Sequence, residues 1–195
     1  MEITEKIKEL NAIREEISSC EKCPLSRTRT NTVPGEGNPN SDIIFVGEAP
    51  GATEDQKGIP FCGAAGKFLD EMLLSIDLKR QDVFVANTLK CRPPENRDPE
   101  DSEKAVCRHY LEKQIETINP KLIVCLGRHS LATFLPNYGT ISNLHGHALR
   151  RPDGRVYLPL YHPAAALHNG GLRETLNNDF KKIPIVLKKI NESKI

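Results

Sequence analysis

Three polar residues of the chain stand where short apolar runs end. Glu48 follows the run 42–47, Asn87 closes the run 82–87, and His162 ends the run 155–162. Apolar runs of this length, bounded by turn residues, predict buried strands. Parallel sheets bind ligands just beyond the carboxyl ends of their strands. The sequence therefore predicts a crevice that offers a carboxylate, an amide and an imidazole, provided that the strand order brings these ends together.

The chemistry of these side chains suits recognition of a base. The Asn87 amide offers an acceptor beside a donor, which complements the N3–H and O4 edge of uracil and mismatches cytosine. The His162 imidazole can donate to a developing negative charge, and Phe61 in the run GIPFCG can stack on an extruded base. The alternatives are a turn residue, a structural histidine and a core phenylalanine, and the residue types alone leave them open.

A glycine-rich loop, GEAPGATED at 47–55, follows the first predicted strand. Its glycines allow close approach of a ligand, and its amides can cradle an anion. The alternative is a tight strand-to-helix turn with solvated acids. Neither a Walker loop nor a dinucleotide fingerprint fits its spacing.

Six cysteines have to be explained in a chain that we expect to lie in a reducing compartment. Cys20 and Cys23 form a C-x-x-C pair, and Cys91 and Cys107 form a second, widely spaced pair that could complete a site of four sulfurs. The alternative is a chance pair and two core thiols. Spacing leaves zinc and iron–sulfur equally open. Cys125 reads as a core thiol, and Cys62 remains undecided between burial and the crevice.

The elements that must position these residues alternate between strands and helices. Helical patterns cover 2–18, 64–76, Asp98 to Ile118 and the residues up to Leu135, and a long loop covers 20–41. A third strand is expected over 121–127, a hairpin over 145–161, and a tail helix over 172–190 with a break at Pro184. This alternation predicts an α/β fold with a mostly parallel sheet covered on both faces.

Length and composition predict one globular domain over 1–195, with the N-terminal helix and cysteine loop 1–40 packed on it. The 195 residues are 38% hydrophobic and 27% charged, with a net charge of +1, so any nucleic-acid surface must be local. The charged N-terminus lacks a signal-peptide core, and the apolar runs are too short to span a bilayer. We therefore expect a cytoplasmic or nuclear protein without a membrane partner.

Taken together, these motifs resemble family four of the uracil-DNA glycosylases, the thermophile-associated class with an iron–sulfur cluster. The resemblance rests on GEAPG at 47–51, Asn87 ahead of KCRPP at 90–94, the His162-Pro163 pair and the four cysteines. It runs from Cys20 to at least Leu167. It implies a three-layer α/β/α sandwich around a central, mainly parallel four-stranded sheet.

The resemblance also implies roles for single residues. A [4Fe–4S] cluster would be held by Cys20, Cys23, Cys91 and Cys107. Uracil would be bound by Ala49, Glu54, Phe61, Asn87 and His162. The resemblance also places Glu48 in the lining of the pocket. The implied activity is hydrolysis of the N-glycosidic bond of deoxyuridine, for which Glu48 and His162 are our candidates for the catalytic residues.

An activity of this kind requires contacts with DNA. The expected partner is uracil-containing DNA, single- or double-stranded, bound by a monomer, and a sliding clamp is a candidate protein partner. Phosphate contacts are candidates at Arg92, Arg97, Arg150, Arg151 and Arg155, with solvated surface charge as the alternative. The segment 162–173 is expected as a loop that enters the minor groove, with Leu167 as its wedge.

Two departures and three rival functions stay open. Ala164 and Ala165 stand where the family often has serine, and no aspartate precedes Asp55 in the first motif to position a water molecule, as one does in the family-one enzymes. The rivals are a glycosylase for another base, a non-catalytic nucleic-acid-binding module with zinc or iron–sulfur, and an iron–sulfur electron carrier.

Overall fold

The computed structural model describes residues 1–167 and 169–193, and its centre is a mixed six-stranded sheet. The strands are β1 (Glu36–Gly37), β2 (Ile43–Gly47), β3 (Phe84–Asn87), β4 (Leu122–Leu126), β5 (Leu149–Arg150) and β6 (Val156–Leu160). Their order is β1-β3-β2-β4-β6-β5, in which the four inner strands are parallel and the two short edge strands antiparallel. The predicted four-stranded, mainly parallel sheet is confirmed, with two short edges added.

Nine described helices surround the sheet. They are α1 (Ile3–Ser18), α2 (Ala52–Lys57), α3 (Ala64–Leu74), α4 (Asp101–Ile118), α5 (Arg128–Phe134), α6 (Ile141–Leu144), α7 (Pro163–Leu167), α8 (Gly170–Phe180) and α9 (Lys182–Asn191). Short 3-10 turns occupy Pro24–Arg27, Arg80–Asp82 and Pro94–Asn96. No helix of the described residues is both long and apolar enough to cross a bilayer.

Successive side chains of the central strands pack on opposite faces of the sheet, in two different core layers. Ile43 and Phe45 of β2 pack with α3, α8 and α9, whereas Ile44 and Val46 pack with α4 and α5. Every residue of β2 is buried, as expected for a parallel strand covered on both faces. This alternation builds the three-layer α/β/α arrangement that the sequence predicts.

A third apolar cluster lies outside the sheet, around the cysteines. Ile13 and Ile17 of α1 pack in it with Leu25, Leu89 and Cys91. Helix α4 adds Cys107 and Tyr110. The N-terminal helix therefore covers the segment that carries the four cysteines.

Three sequence-based expectations about helix ends are wrong. Helix α4 begins at Asp101, not at Asp98, because Glu103 caps the backbone N–H of Glu100 at 2.9 Å while the Asp98 carboxylate bonds Arg128 at 2.6 Å. The tail breaks at Lys181, because Pro184 lies in the first turn of α9, where proline is tolerated. The segment expected as a loop over 162–173 instead holds α7 and the start of α8, and its His168 lies outside the described residues.

Candidate active site and four-cysteine site

The carboxyl ends of the four parallel strands lie side by side, and they bring Asn87 and His162, but not the Glu48 carboxylate, to one crevice. The chain passes from β2 to β3 on one side and then to β4 on the other, which makes β2 the switch point of the sheet. A pocket opens beyond these ends, with a volume of about 160 Å³. A cavity of about 150 Å³ holds one benzene molecule, so this pocket has room for a single base. Its lining comprises Ala49, Gly51, Glu54, Phe61, Ala65, Asn87, His162 and Ala164.

Asn87 ends β3 at the wall of the pocket and is 2% exposed. Its side-chain Oδ1 is buried and has no hydrogen-bond partner among the described residues. A buried acceptor left unpaired costs about 1–3 kcal/mol. A ligand with an N–H donor at this position would relieve that cost.

Phe61 closes another side of the pocket in a strained backbone conformation. Its φ is 51°, in the left-handed region, and the Arg80 guanidinium donates to its carbonyl oxygen at 3.1 Å. The ring stacks on that of His162, with centroids 5.5 Å apart and planes 27° from parallel. Strain of this kind persists only where the surroundings enforce it, which indicates that the position of this ring is built in.

His162 lies at the end of β6 with a defined tautomer. The backbone N–H of Ala164 donates to Nδ1 at 3.1 Å, so in the neutral ring Nε2 carries the proton. Desolvation lowers the pKa of His162 to about 4, although the Glu54 carboxylate acts in the opposite direction. The ring is therefore an uncharged Nε2–H donor at neutral pH.

Glu54 organises the pocket through the backbone. Its two carboxylate oxygens accept from Gly63 N–H at 2.8 Å and from Gly51 N–H at 3.2 Å. The loop before α2 is thereby tied to the loop that carries Phe61. Gly51 N–H is therefore engaged and Pro50 has no N–H, so neither residue contributes to the expected amide cradle of this loop.

Glu48 does not line the pocket in the described part of the chain. Its carboxylate lies 3.6 Å from His129 Nε2, which in turn lies 3.4 Å from Asp98. Desolvation raises the pKa of Glu48, and Asp98 adds to this, whereas His129, Arg128 and Lys104 act against it. Glu48, Asp98 and His129 each offer one carboxylate oxygen or imidazole nitrogen, and these three atoms lie within 4.8 Å of one another, as in metal sites. However, the Arg128 guanidinium already occupies Asp98 at 2.6 Å.

His129 is the residue of this region that the sequence reasoning missed. It stands in the first turn of α5, three residues after Leu126, the last residue of β4. The strand-end argument considered only the residue at each strand end, not the first turn of the helix that follows. Extending it by one helical turn would have included His129.

The four cysteines surround one apolar cavity between α1, the Pro24–Arg27 turn and α4. Cys20, Cys23, Cys91 and Cys107 all line it. Arg29 donates to Cys91 Sγ at 3.2 Å, and the Lys90 backbone N–H donates to Cys107 Sγ at 3.3 Å. Burial raises the pKa of Cys107 to about 11, so a bound metal would have to displace its proton. Cys125 is fully buried in β4, away from this cavity.

The candidate DNA contacts are not equivalent. Arg97 is bound by both oxygens of buried Glu103, at 2.6 and 3.0 Å, and Arg151 donates to the Phe134 carbonyl at 3.1 Å. Internal bonds of this kind favour a structural role for these two. Arg92 and Arg150 bond exposed neighbours in their own loops. Leu167 ends α7 with 38% of its surface exposed.

Gly47 provides a direct test of how tightly the pocket is built. A Cβ at this position would collide with Asn87 Oδ1 and lie 2.6 Å from the Phe61 ring. We expect Gly47→Ala to lower the free energy of unfolding by about 1–3 kcal/mol, measured by urea unfolding. The control is Gly170→Ala, where an added Cβ meets nothing within 4 Å. Equal stability of the two variants would contradict the tight packing of Asn87 against Phe61.

Comparisons with known proteins give one consistent result. A family model, the uracil DNA glycosylase superfamily, matches residues 34–184. The type-4 uracil-DNA glycosylase of Sulfurisphaera tokodaii is 50% identical over 182 residues, which cover 89% of this chain and 83% of the relative. That of Archaeoglobus fulgidus is 50% identical over 185 residues, covering 89% and 91%. That of Thermotoga maritima is 40% identical over 183 residues, covering 92% and 95%.

Proposed function

Because this chain belongs to the uracil-DNA glycosylase superfamily, and within it to the type-4 enzymes, we propose that it excises uracil from DNA. The bond that breaks joins C1′ of deoxyuridine to N1 of the base, and the products are free uracil and an abasic site. The observation that carries the proposal is the unpartnered Oδ1 of Asn87 at the wall of a pocket sized for one ring. Buried and unpaired, this acceptor matches the N3–H donor of uracil.

Base recognition begins with extrusion of the nucleotide from the helix, which costs a few kcal/mol and least at a mispaired base. The Phe61 ring then stacks on the base, and the Asn87 amide accepts from N3–H and donates to O4. Cytosine presents the reverse pattern at its amino group. Thymine adds a C5 methyl group, which a pocket lined by Phe61, Ala65 and the other residues named above would also have to accommodate.

Bond cleavage moves an electron pair onto N1 of uracil and leaves positive charge on the sugar. The Nε2–H of His162 donates to the base as this negative charge develops, a preorganised electrostatic role that is effective in a desolvated site. A water oxygen then bonds to C1′ and releases a proton to solvent, while the uracil anion takes up a proton and leaves as neutral uracil. In this mechanism Glu48 stabilises the cationic sugar or orients the water, after the carboxylate moves from His129 toward the pocket on DNA binding.

The variant Glu48→Gln tests the proposed role of Glu48 through the pH dependence of the excision rate. The raised pKa of Glu48 means that its carboxylate is lost at a higher pH than for an ordinary glutamate. We expect the wild-type rate to fall on the acidic side as pH drops through this value, and the variant to be slow and to lack that limb. The dependence of kcat/KM on pH measures both, because kcat/KM reports the pKa values of the free enzyme, in which Glu48 lies beside His129. An unchanged rate and profile in the variant would remove Glu48 from the mechanism.

We propose that the four cysteines hold a [4Fe–4S] cluster. The four thiols line an apolar cavity, and N–H groups of Arg29 and Lys90 donate to two of the sulfurs. Such a set of thiols suits an iron–sulfur cluster. The resemblance to family four implies a cluster, although zinc accepts the same four thiolates. When bound, a cluster would link the segment after α1, the loop before α4 and α4 itself, and hydrolysis requires no electron from it.

The proposed function is tested with oligonucleotides that carry one uracil, thymine, cytosine or hypoxanthine. We expect alkali-labile strand cleavage at uracil, fastest opposite guanine, by brown protein as purified. Cleavage at hypoxanthine alone would favour a glycosylase for another base. The absence of cleavage on every substrate, with DNA binding retained, would favour the non-catalytic binding module.

A further inference from the structure

Lys90 is a buried cation that the proposed mechanism does not use. It follows Asn87 by three residues, directly precedes Cys91 and is 1% exposed. Its ammonium donates to the Asn87 carbonyl oxygen at 3.0 Å and to the Gln114 side-chain oxygen at 2.7 Å. Its backbone N–H donates to Cys107 Sγ at 3.3 Å. One residue therefore contacts both the residue that reads the base and the four-cysteine site.

The charge of Lys90 has no carboxylate partner in the described ranges. Its two acceptors are neutral oxygens, and an isolated buried ammonium is strongly unfavourable. The cysteine sulfurs become thiolates when they ligate a metal. Cys107 Sγ accepts from the backbone N–H of Lys90, so a thiolate there would lie beside the residue that carries the ammonium.

The remaining contacts of Lys90 join the end of β3 to two neighbouring parts of the fold. Gln114, which accepts from its ammonium, donates in turn to the Pro34 carbonyl at 2.8 Å. The carbonyl of Lys90 accepts from Val33 N–H at 2.7 Å. The end of β3 is thus fixed against α4 and against the segment that leads into β1.

We propose that Lys90 is a positioning residue that couples uracil recognition to the four-cysteine site. Its ammonium holds the backbone of Asn87, and therefore the orientation of the reading amide, while the thiolates around Cys107 supply the charge that keeps the ammonium in place. This inference rests on the proposed function. It predicts a reciprocal effect, because coupling between two sites acts equally in both directions: a loaded cysteine site strengthens uracil binding, and bound uracil retards loss of the cluster.

The matched variants are Lys90→Met and Lys6→Met. Lys6 is also a buried lysine, 8% exposed, and it donates to the Ile118 carbonyl at 2.8 Å and to Asn40 at 3.0 Å, without contact to either site. Three quantities are measured: the affinity for free uracil, the decay of the visible absorbance of the cluster in chelator with and without uracil, and the unfolding temperature. The conservative variant Lys90→Arg keeps the charge and is expected to restore part of the uracil affinity.

For Lys90→Met we expect uracil affinity to fall by about tenfold or more, the size of a lost buried hydrogen bond to a charged group. We also expect uracil to slow cluster loss in the wild type and not in this variant. Lys6→Met is expected to lower the unfolding temperature while retaining both effects. Wild-type uracil affinity in Lys90→Met, or equal losses in the two variants, would overturn the proposal.

Three further outcomes are decisive, and the last two separate this inference from the proposed function. If Lys90→Met does not fold, protection of the cluster by uracil in the wild type decides alone, and its absence overturns the coupling. If the wild type excises uracil but shows no protection, only the role of Lys90 fails. If the wild type excises nothing, the proposed function fails first and the coupling falls with it.

Discussion

Replacing Asn87 by aspartate is expected to slow uracil excision by about 10²–10³-fold, the usual effect of removing one preorganised donor from a reacting group. The substitution removes the amide N–H that would donate to O4. It also places a carboxylate against a base that gains negative charge as the bond breaks. Because Asn87 is 2% exposed, solvent cannot screen that repulsion.

The same substitution should change which base is accepted. A carboxylate accepts from the amino group of cytosine, as acidic side chains do in base recognition generally. We therefore expect Asn87→Asp to acquire slow cleavage at cytosine while losing cleavage at uracil. Single-turnover assays on uracil, cytosine and thymine oligonucleotides measure this ratio.

The control is Asn137→Asp, which makes the same change on an exposed loop after α5. It should match the wild type on every substrate. Uracil excision by Asn87→Asp within a few-fold of the control would mean that Asn87 does not touch the base. Urea unfolding of both variants separates this result from a loss of folded protein.

The sequence predicted the fold and the family because both depend on local patterns. Buried strands such as β2 and β4 are short apolar runs, and the motifs around Glu48 and His162 stand at strand ends that the parallel order brings together. The family that the motifs predicted is confirmed by the superfamily match over residues 34–184. Short helices were harder: α2, α6 and α7 span four to six residues, too few for an apolar periodicity to be recognised.

Contacts between distant segments could not be predicted in this way. His129 gains its significance from Asp98, which comes 31 positions earlier, and Lys90 from Gln114 on α4. The position of Glu48, turned toward His129 and away from the pocket, follows from the start of α5 beside β2 and has no sequence signature. Likewise, helix α4 begins late because Arg97 and Glu103 pair across its first turn.

His162→Leu is the second substitution for which we expect a large effect. The variant keeps an apolar wall against Phe61 but removes the Nε2–H that would donate to the departing base. We expect excision to fall by about 10²–10³-fold, with DNA binding nearly unchanged, because the donor acts on charge that develops during bond cleavage. The control is His147→Leu at an exposed position, which should behave as wild type. A loss confined to DNA affinity would show that His162 serves binding and not catalysis.

The pH dependence of stability tests the neutral imidazole independently of activity. The pKa of His162 is about 4 in the folded chain, against an ordinary value of 6.5. Between these values the unfolded chain binds a proton at this position that the folded chain does not, so the free energy of unfolding falls as pH drops from about 6.5 to about 4. His162→Leu lacks this contribution, and its stability should therefore decline less than that of the wild type across this window. Urea unfolding at intervals of pH measures the difference, and a difference that stays constant across the window would mean that the imidazole is not held neutral by its surroundings.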